Sequence, residues 1–199
     1  GLRIVMYTPT SEYNLNGINS NEFPEKKLET TENPIILSNK IVKNIIAQTS
    51  FAASNQESRP ILTGINIRII GNSLECVATD SYRLAKKIVI LDTPVDNEFN
   101  IVIPSRNLIE LSKILTDDDD SVEIHIFSNN ILFKFENILF QSRLLNGTYP
   151  DVSKLIQEEC SLKITTSVEE LYNVIDRASL LTSEKEKNVV KLETNKEEL

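Results

Sequence analysis

"PIILSNKIVKNIIAQTSFAAS", residues 34–54, opens as a short apolar strand and then changes its period. Ile41, Val42, Ile45 and Ile46 recur at helical spacing, one buried face of a helix. Three strand-like runs follow, "ILTGINIRI" (61–69), "LECVAT" (74–79) and roughly 82–91. Gly71-Asn72 stands between the first two as a hairpin signal. The same order then recurs. "NIVI" (100–103) is a short strand, and Pro104 opens a helix with Leu108, Leu111 and Leu115 on its apolar face. "SVEIHIFS" (121–128), "ILFKFE" (131–136) and "ILFQSRLL" (138–145) supply three more strands, with Asn129-Asn130 and Glu136-Asn137 as turns. Residues 34–150 therefore read as an α+β fold: two strand–helix–three-strand units, with both helices on one face of antiparallel sheet.

A longer repeat overlies this one. "LKITTSVEELYNVIDRASLLTS" (162–183) aligns with the opening stretch at a constant offset of 129, so that Ile35 meets Ile164, Val42 meets Leu171, Ile45 meets Val174, Ile46 meets Ile175 and Ser50 meets Ser179. Similar tails precede both copies, "NGINSNEFPE" at 16–25 and "NGTYPDV" at 146–152. One complete repeat is expected, preceded by the end of another and followed by the start of a third, as in a piece of a longer chain.

Composition narrows the functional class. The 199 residues are 40% hydrophobic and 25% charged, which suits a globular protein with a real core, and no run of 18 apolar residues or signal-peptide pattern occurs. Cys76 and Cys160 sit in unrelated contexts without CxxC spacing and read as reduced core residues of a cytoplasmic protein. Acids outnumber bases, 29 Asp+Glu against 21 Lys+Arg, which argues against a nucleic-acid binder that is basic over its whole surface. A local basic stripe remains compatible with that balance.

"SRPILTG" (58–64), "VATDSYRLA" (77–85), "IPSRNLIELSKIL" (103–115), "RLLNGTYPD" (143–151) and "VIDRASLLTSEKEKNVVKL" (174–192), in this order and spacing, resemble the bacterial β sliding clamp family. The resemblance spans the whole chain and implies a non-enzymatic processivity factor of the replicative DNA polymerase. In that family a three-domain subunit pairs head to tail with a second copy into a ring around duplex DNA. Here residues 1–27 would be the tail of the first domain, 28–156 the whole middle domain and 157–199 the beginning of the third. Two departures stand out. Tyr82 replaces a common His, and Leu155-Ile156-Gln157 replaces a common Ile-Pro.

By resemblance, a hydrophobic groove receives short peptide motifs from the polymerase, the clamp loader and repair proteins. Its matching residues are Arg59 and Leu62, then Thr79, Ser81, Tyr82, Arg83 and Leu84, and finally Pro150, Lys154 and Leu155. Leu62, Leu84, Pro150 and Leu155 would form the pocket and Arg59, Arg83 and Thr79 a polar rim, suited to aliphatic and aromatic anchors. Taken without the resemblance, Asp80 and Arg83 read as a structural ion pair at a strand end. With it Arg83 belongs to the groove, and Asp80 still holds the turn. The family's helices line the DNA hole. Lys40 and Lys43 on the first helix, Arg106 and Lys113 on the second, and Gln56 in a loop would then face the duplex, touching phosphates without reading bases. The third helix, with Glu169, Glu170, Asp176 and Arg177, is not basic.

No catalytic residue, metal or cofactor is assigned. His125, the only histidine, is expected on the polar side of its strand without an orienting partner. The run Asp117–Asp120 reads as a solvated turn, because metal loops space their ligands. Two rival readings remain: a peptide-binding scaffold unrelated to DNA, and a metal-dependent nuclease built on Asp80 and the acidic run.

Overall fold

The computed structural model describes residues 2–23, 28–156, 162–180 and 189–193. The chain divides into two compact units, Gly1–Pro150 and Asp151–Leu199. The first unit begins with β1 (Leu2–Thr8) and β2 (Ser11–Gly17), an antiparallel pair. After it come β3 (Ile35–Ser38), α1 (Asn39–Thr49), β4 (Gly64–Thr79), β5 (Leu84–Pro104), α2 (Ser105–Ile114), β6 (Ser121–Ile126), β7 (Asn130–Phe135) and β8 (Ile138–Arg143). The second unit carries α3 (Val168–Ser179).

The sheet β3-β6-β7-β8 is antiparallel throughout, and β4 pairs antiparallel with β5. Both α1 and α2 pack on β4 and β5 and on each other, so the two helices share one side of the strands. Between them lies a single apolar layer. Ile45 and Ile46 of α1 meet Leu108 and Leu111 of α2, Ile65 and Ile69 of β4, Ile103 of β5 and Phe133 of β7 in one buried cluster. Each such side chain contributes roughly 1.5–3 kcal/mol relative to exposure, so the layer outweighs any single polar contact on the surface.

The order strand, helix, strands occurs twice, as the sequence pattern requires. "NIVI" is the closing part of β5 rather than a separate strand, because the ladder with β4 carries the chain through to Pro104. Residues 64–69 of the first predicted run and all of 74–79 fall within β4, so Gly71-Asn72 is an irregularity in one strand and not the expected hairpin. At Gly71 (φ +55) the register with β5 shifts twice, dividing the ladder into 64–69 against 99–104 and 73–79 against 84–90. Gly supplies that positive φ without a Cβ clash. Residues 60–63 turn as a 3-10 helix, so the strand begins at Gly64 and not at Ile61.

Two further expectations are corrected. His125 is 1% exposed rather than on a polar face: its Nδ1 accepts the Thr31 N–H at 3.0 Å and lies 2.9 Å from the Thr31 hydroxyl, so the segment before β3 covers it. Ile41, assigned to the buried face of α1, is 36% exposed, and Asn39 and Thr49 complete that face instead. Residues 164–167, which align with β3 at the repeat's offset, are irregular. β3 pairs with β6 some ninety residues on. The helix of the repeat forms in both copies. Ser38 caps α1 by accepting the Ile41 N–H at 3.3 Å, and Ser167 caps α3 by accepting the Glu170 N–H at 3.4 Å.

Gly64, where β4 leaves the 3-10 turn, is closely packed. A Cβ there would stand 2.5 Å from Val102 Cγ1 and 2.8 Å from the Ile103 carbonyl oxygen. Gly64→Ala is expected to destabilise the first unit by about 1–3 kcal/mol in urea titration, as overpacking does. An unchanged midpoint would refute this account of the β4–β5 start.

Candidate peptide groove and nucleic-acid face

The segment linking β4 to β5, Asp80–Arg83, is a turn built around one carboxylate. Asp80 Oδ1 accepts the N–H of Tyr82 and of Arg83, both at 2.9 Å, and Oδ2 accepts Arg83 Nε at 3.0 Å. These backbone donors, followed by the Arg83 charge, hold the Asp80 carboxyl below the usual carboxylate range. Thr79 closes the other side. Its hydroxyl donates to the Arg83 carbonyl at 2.7 Å and accepts the Ser81 N–H at 3.1 Å. The Thr79 N–H donates to the Tyr149 hydroxyl at 3.0 Å. Ser81 is forced to φ 79, a left-handed conformation that a non-glycine residue adopts only when its surroundings dictate it.

This scaffold pushes Tyr82 fully into solvent, 96% exposed, and leaves the Arg83 side chain 55% exposed. Arg59, entering from the loop before β4, donates from Nη1 to Ser81 Oγ at 3.4 Å. Leu84 is half-buried at the start of β5, whereas Leu62 is 4% exposed and lies beneath the surface. Thr79 is likewise buried at 6%, with its hydroxyl used inside the turn, so it supports the rim instead of lining it. Pro150 is exposed at the end of the first unit. Lys154 and Leu155 lie in the second unit, on a 3-10 turn (Ser153–Leu155) in which Leu155 is 69% exposed. The first unit thus brings together Arg59, Ser81, Tyr82, Arg83 and Leu84 over Leu62 and Thr79.

The sequence reading passed over Tyr149. Its ring is buried and its hydroxyl anchors Thr79, and burial raises its pKa. The signal for it was an aromatic directly before Pro150 in a Gly-containing loop, which names no partner.

On the helix side, Lys40, Gln56, Arg106 and Lys113 are exposed and Lys43 is half-buried. They differ in what holds them. Lys113 Nζ is bound to Glu110 at 2.8 Å, one turn away, and lowers the Glu110 pKa. Lys43 forms a salt bridge with Asp117 and donates to the Leu115 carbonyl at 3.2 Å. Lys40 and Arg106 make no salt bridge among the described residues. Arg106 nevertheless acts through its charge on Glu110, so Lys40 is the open cation of the four among the described residues.

Cys76 is a free, fully buried thiol whose pKa burial pushes up to about 12, so it is no nucleophile. Cys160 lies outside the described residues. Among the described residues no group of three or more His, Cys, Asp or Glu is placed to hold a metal ion, and no helix is long and apolar enough to cross a membrane. Asp80 and Asp118 have their carboxylates committed to the protein's own N–H groups.

Residues 36–151 match the family model for the DNA polymerase III beta subunit, central domain. The beta sliding clamp of Bacillus subtilis is 46% identical over 182 residues, 92% of this chain and 48% of its own length. That of Staphylococcus aureus is 45% identical over 184 residues with the same coverage. The crystal structure of the Bacillus subtilis sliding clamp superposes with a TM-score of 0.83 at 43% identity, covering 92% of this chain and 48% of that one. The Streptococcus pneumoniae beta chain gives 0.78 at 44%, covering 90% and 48%. The chain spans about half the length of the curated relatives it matches.

The depressed Asp80 pKa carries a sign. Hydrogen bonds to the carboxylate stabilise the turn fully above the unfolded-chain value near 3.9, and that contribution is lost as pH falls through the lower folded value. Amide chemical shifts of Tyr82 and Arg83 are expected to hold constant from neutral pH down to the ordinary carboxylate range and to move only below it. A midpoint at or above about 3.9 would contradict the cradle.

Proposed function

Because this chain belongs to the β sliding clamp family, we propose that it is part of a processivity factor that encircles duplex DNA and tethers replication proteins by a peptide groove. In this reading residues 1–27 end a first domain, 28–156 form the middle domain and 157–199 begin a third. The central-domain match over 36–151 and the equal capping of α1 and α3, 129 residues apart, support that division. The protein is not an enzyme, works in the cytoplasm without a cofactor, and closes its ring as a head-to-tail homodimer. Its partners are duplex DNA of any sequence and short motifs from the replicative polymerase, the clamp loader and repair proteins.

The observation that carries the reading is the Asp80 cradle. An ordinary hairpin turn needs no such network, yet here five hydrogen bonds fix residues 79–83 so that Tyr82 and Arg83 point outward beside Leu84. A rigid rim presented over apolar side chains loses little entropy when an extended peptide docks. Tyr82, in place of the family's common His, gives the rim a larger aromatic surface. On the helix side, Lys40 and Arg106 offer phosphates exposed cations that make no salt bridge among the described residues, which suits weak contacts that follow the backbone without reading bases.

A complete groove should hold one short motif at about micromolar Kd, since few anchors offset the cost of ordering the peptide. The residues of this chain supply one part of it and should bind more weakly, so a ratio is the informative readout. Fluorescence polarisation with a labelled Gln-Leu-Ser-Leu-Phe peptide is expected to show saturable binding that weakens at least about tenfold in the Arg83→Ala, Leu84→Ala double variant. Equal response of the variant, or of a scrambled peptide, would overturn the groove assignment.

A further inference from the structure

The acidic run Asp117–Asp120 is an exposed turn, as expected, and it is also anchored. It is docked on the N-terminus of α1, where the first N–H groups of a helix lack internal partners. The Asn39 N–H donates to the Asp120 carbonyl at 2.8 Å and the Lys40 N–H to the Asp118 carbonyl at 3.3 Å. Asn39 Nδ2 donates to Asp118 Oδ1 and to Thr116 Oγ1, both at 2.7 Å, from a side chain that is itself buried. The partial positive charge of the helix end further favours carboxylates there. So anchored, the loop delivers Asp117 to Lys43, whose ammonium it shares with the Leu115 carbonyl. The cation is covered and the anion is not: the Lys43 side chain is 25% exposed and that of Asp117 is 87%. Asp119 in the same loop touches no cation among the described residues.

Resting on the reading that α1 faces the duplex, we propose that Asp117 sets the protein's affinity for the DNA backbone by occupying Lys43 in place of a phosphate. A phosphate approaching α1 meets Lys40 as an open cation but must displace Asp117 to reach Lys43. The ion pair is exposed on its acidic side and therefore weak enough to exchange. Lys43 then contributes only a fraction of a full phosphate contact. A moving tether gains from this, since each fully neutralised phosphate steepens the salt dependence and slows displacement along the duplex.

The test is anisotropy of a short labelled duplex titrated with the chain at several salt concentrations, alongside Asp117→Asn, Asp119→Asn, Lys40→Gln and the Asp117→Asn, Lys43→Gln double variant. Asp117→Asn is expected to tighten binding about two- to fivefold, the worth of an exposed ion pair, and to steepen the log–log salt slope by up to about 0.9. The double variant should lose that gain, and Asp119→Asn, with the same change in net charge, should show less of it. Equal tightening by Asp117→Asn and Asp119→Asn would reduce the effect to net charge and overturn the proposal. So would an inert Asp117→Asn when Lys40→Gln still weakens binding, a result that spares the DNA reading. An inert Lys40→Gln would instead remove α1 from the duplex, and the proposal with it.

Discussion

The apolar layer between the two helices and the strands is the constraint from which the candidate sites follow. Ile65, Ile103 and Leu111 are wholly withdrawn from solvent, and Ile46 and Leu108 nearly so. Once these faces of α1 and α2 are committed inward, helical geometry leaves the opposite stripe no alternative but solvent. Lys40, Arg106 and Lys113 stand on that stripe. The same layer fixes the course of β4 and β5, and so fixes where their connection emerges. The turn at Asp80 and the basic stripe are both consequences of one burial pattern.

Local polar chemistry then refines what the layer positions. Two aspartates do equivalent work at different ends of the fold. Asp80 gathers backbone N–H groups and stiffens a turn whose side chains face outward, while Asp118 gathers Asn39 and Thr116 and fixes a loop on a helix end. Each carboxyl is held below its usual pKa by the donors it collects. Neither stores much energy at an exposed site, and the value of both lies in geometry. One organises the surface proposed to take a peptide. The other organises an anion beside a cation, Asp117 beside Lys43.

The sequence disclosed the repeated order of elements because periodicity and the 129-residue offset report burial, and burial decides the fold. The one helix start it named, Pro104, stands directly before α2, while the caps Ser38 and Ser167 of the other two helices went unread. It misjudged what depends on distant partners. His125 looked polar-faced, yet Thr31, 94 residues earlier, covers its ring. The pair β1 and β2 went unread because neither strand shows the alternation of a half-buried face, and both are exposed almost throughout. For the proposed groove, residue types came from resemblance, and which of them are buried did not. Leu62 and Thr79 are buried, and Tyr149 was missed because a hydroxyl's acceptor role has no pattern in sequence. Pairing of Lys43 with Asp117 was equally invisible, being a contact across 74 residues.

The central claim is that one domain carries two separate recognition surfaces, a rigid turn for peptides and a helix stripe for duplex DNA. Amide chemical-shift mapping of the chain, titrated in turn with a clamp-binding peptide and a short duplex, tests it most directly. The account predicts that peptide moves Ser81, Tyr82, Arg83 and Leu84 and leaves α1 and α2 unchanged, while duplex moves the residues around Lys40 and Arg106 and spares the turn. Perturbation of one common set by both ligands, or of the core strands alone, would contradict it.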